Sequence, residues 1–134
     1  MVKIDGSGFE KCRLLTSISI PNTVEEIGNY AFEDCEKLTS IEWPNTLREI
    51  GAEAFKNCTS LRSVALPTQL KRLEHHAFMN CQNLSSITIP QSILFIGIGA
   101  FWGCSALKSV TIPTTDPDIG ITAFDRTCKV IRKK

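Results

Sequence analysis

The stretch CEKLTSIEWPNTLREIGAEAFKN, at residues 35–57, recurs in altered form along the whole chain. Each copy begins with a cysteine, and one more cysteine follows the last copy. Successive cysteines are 23, 23, 23, 23 and 24 residues apart, at Cys12, Cys35, Cys58, Cys81, Cys104 and Cys128. A period this regular is typical of one structural unit that has been copied and stacked. The sequence therefore predicts a repeat solenoid.

The copies also predict the domain organisation. We expect one domain over residues 1–134, with a half repeat at 1–11, repeats at 12–34, 35–57, 58–80, 81–103 and 104–127, and a C-terminal cap at 128–134. The chain opens in mid-repeat, as expected of a piece cut from a longer array. The fifth repeat carries Asp116 and Pro117 where other repeats continue the pattern. Terminal repeats are expected to be atypical because one side of them faces water.

Each repeat follows the pattern C-x-x-L-x-S-[IV]-x-Φ-P-x-x-Φ-x-x-[IL]-G-x-x-A-F, where Φ is apolar. The alternation through L-x-S-[IV]-x-Φ predicts a β-strand, and the proline that follows ends it because proline cannot donate a hydrogen bond. We expect one strand per coil in a short parallel sheet. The second apolar pair predicts a shorter extended segment on the opposite wall. The glycine row consists of Gly28, Gly51, Gly97 and Gly120. Glu74 occupies the equivalent position of the third repeat, so this row does not require a positive φ.

Two rows of side chains are predicted to fill the interior. The aromatic row consists of Phe9, Phe32, Phe55, Phe78, Phe101 and Phe124. Cysteines of stacked coils would lie about 4.8 Å apart with parallel side chains, a geometry that does not suit a disulfide. We expect free, buried thiols. A metal site is not expected, because the cysteines lack a short chelating spacing and no histidine joins their row.

Composition excludes several classes of function. The net charge of +1 provides no field for nucleic acid, and no apolar run is long enough to span a bilayer. The two histidines are adjacent, there is one tyrosine, and no nucleophile stands with a base in an obvious set. We therefore expect no enzyme activity, no catalytic residues, no cofactor, no nucleic-acid partner and no membrane insertion.

The variable positions of the predicted strands carry few side chains that could anchor a binding partner. Of fifteen such positions, eleven are Ser or Thr and none is aromatic. Protein interfaces usually depend on Tyr, Trp or Arg anchors, so a structural hydroxyl row is favoured here over a binding face. Carbohydrate binding is the alternative, although stacking aromatics are lacking. The basic group Arg62, Lys71, Arg72, His75 and His76 is interpreted as solvated surface.

The fourth repeat is exceptional because residues 81–103 contain no charged residue. In other repeats, charged residues of adjacent coils are expected to pair, with Glu25 near Arg48 and Glu33 near Lys56. The candidate interface consists of Met79, Leu94, Phe95, Ile98, Trp102 and Ile121. We call these six residues the apolar patch. They could form one exposed surface that binds a protein, including a second copy of the chain. The alternative is local collapse over the neighbouring coil.

The repeated motif C-x-x-L-x-S-I-x-I-P-x-x-V-x-x-I-G-x-x-A-F resembles the BspA-like class of leucine-rich repeats, over about residues 4 to 128. The resemblance implies an α/β repeat solenoid with little regular helix: a right-handed superhelix with a concave parallel sheet and short convex strands and turns. Members are largely bacterial or protozoan, are often surface-exposed, and several act in adhesion or host-protein binding. They offer no catalytic residues to carry over.

The resemblance and the residues together predict a non-enzymatic protein-binding module, such as an adhesion or host-interaction fragment. The alternative is a self-associating structural spacer or an intracellular scaffold. A cell-surface or secreted location is expected if the chain is a fragment, and a cytoplasmic one otherwise.

Overall fold

The computed structural model describes residues 2–4 and 13–132. Phe9, Cys12 and the last two lysines, for which the sequence makes predictions, lie outside these residues. The described chain is a parallel-strand solenoid of about five turns, and it contains no helix. Its strands are β1 Val2–Ile4, β2 Ser17–Ser19, β3 Val24–Ile27, β4 Ser40–Glu42, β5 Glu49–Ile50, β6 Ser63–Ala65, β7 Arg72–Leu73, β8 Ser86–Thr88, β9 Phe95–Ile96, β10 Ser109–Ile112, β11 Asp118–Ile119 and β12 Lys129–Arg132. The predicted solenoid is confirmed.

One wall of the solenoid is a continuous six-stranded parallel sheet with the order β1-β3-β5-β7-β9-β11. Each strand pairs with the equivalent residues of the next coil, so Ile50 pairs with Leu73 and Leu73 with Ile96. These apolar side chains are fully buried. The preceding position points outward, because side chains alternate along a strand. We call this sheet the continuous wall.

The opposite wall carries the Ser- and Thr-rich strands, and we call it the hydroxyl wall. Its strands form three separate parallel pairs, β2-β4, β6-β8 and β10-β12. We expected the main sheet here and only shorter segments opposite, but the unbroken hydrogen bonding runs along the continuous wall. At the break between β4 and β6, Trp43 occupies the row where other repeats carry Ile or Leu, and its ring packs edge-on against Phe55 at 5.6 Å. The break between β8 and β10 has only Ile89 and Ile112 in that row, so the volume of Trp43 does not account for both breaks.

The aromatic row runs through the interior as predicted. The ring centroids of Phe32, Phe55, Phe78, Phe101 and Phe124 are successively 5.2, 5.1, 5.5 and 5.4 Å apart, and each pair of rings is stacked. Four of these five phenylalanines are buried, and Phe124, on the last coil, is partly buried. The row therefore links every described coil to the next.

The cysteine row is also as predicted for Cys35, Cys58, Cys81, Cys104 and Cys128, which are all free thiols. All but the last are buried. The Sγ atoms of Cys58, Cys81 and Cys104 donate to phenylalanine carbonyls of the preceding coil at 3.3, 3.2 and 3.1 Å. Burial raises the pKa of the Cys58 and Cys81 thiols. These thiols are packing groups rather than nucleophiles, because a reactive cysteine needs a lowered pKa and access to solvent.

The glycine row serves close stacking of the coils, not backbone freedom. The glycines of this row do not have positive φ, which confirms the inference drawn from Glu74. A Cβ atom on Gly97 would lie 2.5 Å from the backbone nitrogen of His75 in the coil below. Glu74 occupies this row in the third repeat, where its N–H bonds the Ile50 carbonyl at 3.0 Å, against 2.8 Å from the Gly51 N–H to the Ile27 carbonyl. Close approach therefore explains the glycine preference.

Candidate surface on the fourth repeat

In the apolar patch, Leu94 directly precedes β9 and Phe95 lies in it, while the other four members lie in the turns that follow β7, β9 and β11. Leu94, Ile98 and Ile121 are exposed by 58%, 40% and 77% of their surface. Phe95, Met79 and Trp102 are partly buried. Three members of the patch are therefore exposed and three are partly buried.

Phe95 is the member that packs onto the coil below. The guanidinium carbon of Arg72 lies 4.3 Å from the centre of its ring, and the His75 ring meets it edge-on at 5.9 Å. A cation over an aromatic face contributes about 0.5–1 kcal/mol at an exposed site. The His75 ring is held in turn, because its Nδ1 accepts a hydrogen bond from the Ile98 backbone N–H at 2.8 Å. Phe95 is thus a fixed anchor and not a loose surface side chain.

The other members stand in two rows of the following turn. Ile98 and Ile121 occupy equivalent positions of adjacent coils, and the Gly99 N–H beside them bonds the Ile121 carbonyl at 3.3 Å. Met79 and Trp102 also occupy equivalent positions, joined by the bond from the Asn80 N–H to the Trp102 carbonyl at 2.8 Å. The patch therefore spans parts of three coils.

Charged side chains border the patch with opposite signs on its two sides. Below Phe95 lies Arg72, and above it lies Asp118, each paired with Phe95 in the sheet register. The Nε of Arg72 bonds Glu74 at 2.8 Å and lies 3.8 Å from Glu49. Burial, and then the charges of neighbouring glutamates, raise the pKa of Glu49, against the opposing effect of Arg72. Arg72 with its two glutamates thus borders the uncharged centre on one side, and Asp118 borders it on the other.

The predicted charge pairs are found in part. Glu25 and Arg48 approach to 3.8 Å, as expected. Lys56 instead bonds Glu53 within its own turn at 3.1 Å. That hydrogen bond is the main cause of the raised pKa of Lys56, and the charge of Glu33 adds a smaller effect. Exposed pairs of this kind contribute about 0–1 kcal/mol each.

The hydroxyl wall contains two clefts that the sequence analysis missed. A cleft of about 420 Å³ separates β8 from β10, and one of about 220 Å³ separates β4 from β6. The larger is lined by Ser85, Ser86, Ile87, Thr88, Ile89, Gln91, Ser109, Val110, Thr111 and Pro113. Some hydroxyls of this wall bond backbone carbonyls of the coil below, as Ser85 bonds Arg62 at 3.1 Å. Trp43 was the only sequence signal for a break in this wall, and only for the smaller cleft.

Within residues 2–4 and 13–132, no group of three or more His, Cys, Asp or Glu side chains could hold a metal ion. The same part of the chain has no helix of the length and apolarity needed to cross a membrane.

A family model described as BspA type leucine-rich repeat region matches residues 2–131 in six copies. The chain belongs to this family. Leucine-rich repeats of this type are typically protein-interaction modules, and the family and its solved relatives are non-catalytic repeat proteins. No curated protein matches the sequence.

Solved structures of bacterial leucine-rich repeat proteins share the fold. A Treponema pallidum protein is 30% identical, with a TM-score of 0.82, over 96% of this chain and 66% of that chain. A Bacteroides ovatus protein is 29% identical, with a TM-score of 0.64, over 98% and 43%. A leucine-rich cell surface protein from Faecalibacterium prausnitzii is 26% identical, with a TM-score of 0.63, over 93% and 40%. This chain thus spans two thirds or less of each relative.

Proposed function

We propose that this chain is a non-enzymatic protein-binding module and that its contact surface is the apolar patch on the fourth repeat. The observation that carries the proposal is the exposure of Leu94, Ile98 and Ile121 around a repeat without any charged residue. Exposed apolar clusters rimmed by polar groups commonly mark protein interfaces. The fixed Phe95 ring supplies the aromatic anchor that such interfaces often use.

An adhesion or host-interaction role is the finer form of this proposal. It draws support from the F. prausnitzii relative, whose description is that of a cell surface protein. Self-association as a structural spacer is the second candidate, and the opposite charges on the two edges of the patch favour it.

The proposal is tested by binding with a matched pair of variants. The patch variant carries Leu94→Ser, Ile98→Ser and Ile121→Ser, which remove three exposed side chains. The control variant carries Leu14→Ser, because Leu14 is 83% exposed on the first coil, away from the fourth repeat. Proteins from the native source are captured on the immobilised wild type and on each variant.

We expect the patch variant to lose the partners that the wild type and the Leu14 variant retain. Truncating a hot-spot residue costs about 2 kcal/mol or more of binding energy, so we expect removal of three exposed side chains from the patch to abolish a moderate affinity. Circular dichroism confirms that each variant is folded. Retention of every partner by the patch variant would place the contact surface elsewhere.

A further inference from the structure

We infer that a second copy of this chain covers the apolar patch, in an antiparallel arrangement around a two-fold axis that lies in the interface along β9. The inference rests on the proposed function, because it takes the patch as the contact surface and names its occupant. It goes further by fixing the orientation of the two copies.

The order of charges along the continuous wall carries the inference. The outward residues of successive coils are Glu26, Glu49, Arg72, Phe95 and Asp118, in hydrogen-bonded register. A positive side chain therefore lies one coil below the aromatic centre, and a negative one lies one coil above it. Rotation about an axis at the level of Phe95 reverses this order in the second copy. Arg72 then faces Asp118 of the second copy, and Asp118 faces its Arg72.

The neighbouring positions add one charge of the same sign on each side. Lys71 precedes Arg72 on the lower side, and Asp116 lies close to Asp118 on the upper side. The Nε of Arg72 already pairs with Glu74 and lies near Glu49, so its Nη groups are the donors that would meet Asp118 of the second copy. Asp116 already bonds the Nη1 of Arg132 at 2.8 Å, so Asp118 is the main acceptor for the second copy. Between these edges, the exposed Leu94 comes close to its own equivalent. A surface that complements itself in this way is what a two-fold interface requires.

The opposite orientation is disfavoured by the same charges. If the two solenoids ran parallel, each coil would face its own equivalent. Arg72 would then lie against Arg72, and Asp118 against Asp118, of the second copy. Juxtaposed like charges in an interface strongly suppress association. The antiparallel arrangement is therefore the one that the charges select.

The size of the contact predicts a weak dimer. Rows of a sheet are about 4.8 Å apart, so the three coils that carry the patch and its edges form a contact only about 10–15 Å tall. The interface stays below the roughly 800 Å² per partner of a standard stable complex. We expect a dissociation constant in the micromolar range, so association must be followed over a wide range of concentration.

The experiment is sedimentation velocity of the purified chain from about 5 to about 500 µM, a range chosen to bracket the weak affinity of small interfaces. The average mass of the wild type should rise from 14.9 kDa towards twice that value. The variants Arg72→Glu and Asp118→Arg should each weaken association at least about tenfold, because each sets like charges together in both halves of the interface.

Charge exchange provides the decisive test. An equimolar mixture of the two variants should associate about as well as the wild type, since each unlike pair is then restored. The double variant R72E/D118R should self-associate for the same reason. Glu42→Lys, on the exposed end of β4 in the hydroxyl wall, should have no effect. If Arg72→Glu unfolds the chain because of Glu49 and Glu74, Lys71→Glu replaces it, with the same expected result.

A wild type that stays monomeric over the whole range overturns the inference, as does association that neither charge reversal weakens. Failure of the mixture to recover would overturn the antiparallel orientation. These results are distinguishable from failure of the proposed function. A monomeric chain whose patch variant still loses captured partners would keep the patch as a protein-binding surface and exclude the second copy as its occupant.

Discussion

Phe78→Ala is the substitution that tests the stacked interior most directly. The Phe78 ring is fully buried and lies between the rings of Phe55 and Phe101, at 5.1 and 5.5 Å. Truncating a buried phenylalanine to alanine costs about 3–5 kcal/mol, because apolar contact is lost and a cavity remains. A domain of this size has a stability of only about 7–20 kcal/mol, at about 0.05–0.15 kcal/mol per residue. The change therefore removes a large part of the free energy of unfolding.

The location of the lost contacts predicts a second effect. In a repeat protein each coil contacts only its neighbours, so stability is close to a sum of terms for coils and their interfaces. Phe78 belongs to the middle coil, and its loss weakens the interfaces on both sides. Unfolding of the two ends should then separate, whereas the parent protein should unfold in one transition.

The two tryptophans make this separation measurable. Trp43 lies on the second coil beside Phe55, and Trp102 lies on the fourth. Variants with Trp102→Phe or Trp43→Phe keep one reporter each, and urea unfolding is followed by fluorescence. Both reporters should give one midpoint in the parent and two different midpoints after Phe78→Ala.

Phe124→Ala is the matched control. Phe124 is only partly buried and stacks on one ring, that of Phe101 at 5.4 Å. Its truncation should cost about half as much as that of Phe78, since less surface is buried and one stacked pair is lost instead of two. A loss below about 1 kcal/mol for Phe78→Ala, far under the usual range, or a loss no larger than that of Phe124→Ala, would refute the reasoning.

Three further predictions follow from the packing and the charges. Gly97→Ala should lower the free energy of unfolding, measured by thermal unfolding, by about 1–3 kcal/mol, because the added Cβ meets the His75 backbone. Glu74→Ala, in the same row, should change it by no more than about 0.5 kcal/mol. Equal effects of the two substitutions would contradict the close-approach explanation. Buried thiols such as Cys58 should resist alkylation in the folded chain. Thiol titration of the unfolded chain should detect all six cysteines, and detection of fewer than six would reveal a disulfide. Glu49→Gln should raise the free energy of unfolding at neutral pH, because the raised pKa of Glu49 means that folding disfavours its charged form. The difference from wild type should shrink as the pH falls through that pKa and Glu49 becomes protonated. A difference that grows on acidification would show that the folded pKa of Glu49 is lowered instead.

The interior could be predicted because the repeats carry apolar residues at the same positions. The period alone aligns Phe55 with Phe78 and Cys58 with Cys81, and both rows are found where the alignment puts them. The glycine row was also readable, since Glu74 excluded a need for positive φ. Its true cause, the approach of two backbones, is a distance between coils that no single repeat encodes.

The distribution of sheet between the two walls could not be predicted in the same way. Both walls are built from segments of two to four residues, as β4 and β5 show. Whether such segments join into a continuous sheet depends on small differences in the spacing of coils. That spacing is not visible in the alternation of apolar and polar residues along one repeat.

The environment of Phe95 was missed although the sequence contained a signal for it. Subtracting one period from Phe95 gives Arg72, and subtracting it from Ile98 gives His75. These are the side chains that hold the Phe95 ring. In a solenoid the neighbours of a surface residue stand one period away, so its surroundings should be read along columns and not along the chain.

The fourth repeat does not need its extra apolar residues in order to fold. Its interior positions are filled as in other repeats, because Ile93, Ile96 and Phe101 are all fully buried. On other coils the outward positions of the continuous wall carry charges that pair between coils, as Lys3 pairs with Glu26 at 2.8 Å. Replacing such residues with exposed Leu94 and partly buried Phe95 lowers the solvation of the surface without adding to the core. Because exposed apolar clusters commonly mark interfaces, this departure supports the proposed contact with a second copy, and the charges of Arg72 and Asp118 beside it indicate the orientation.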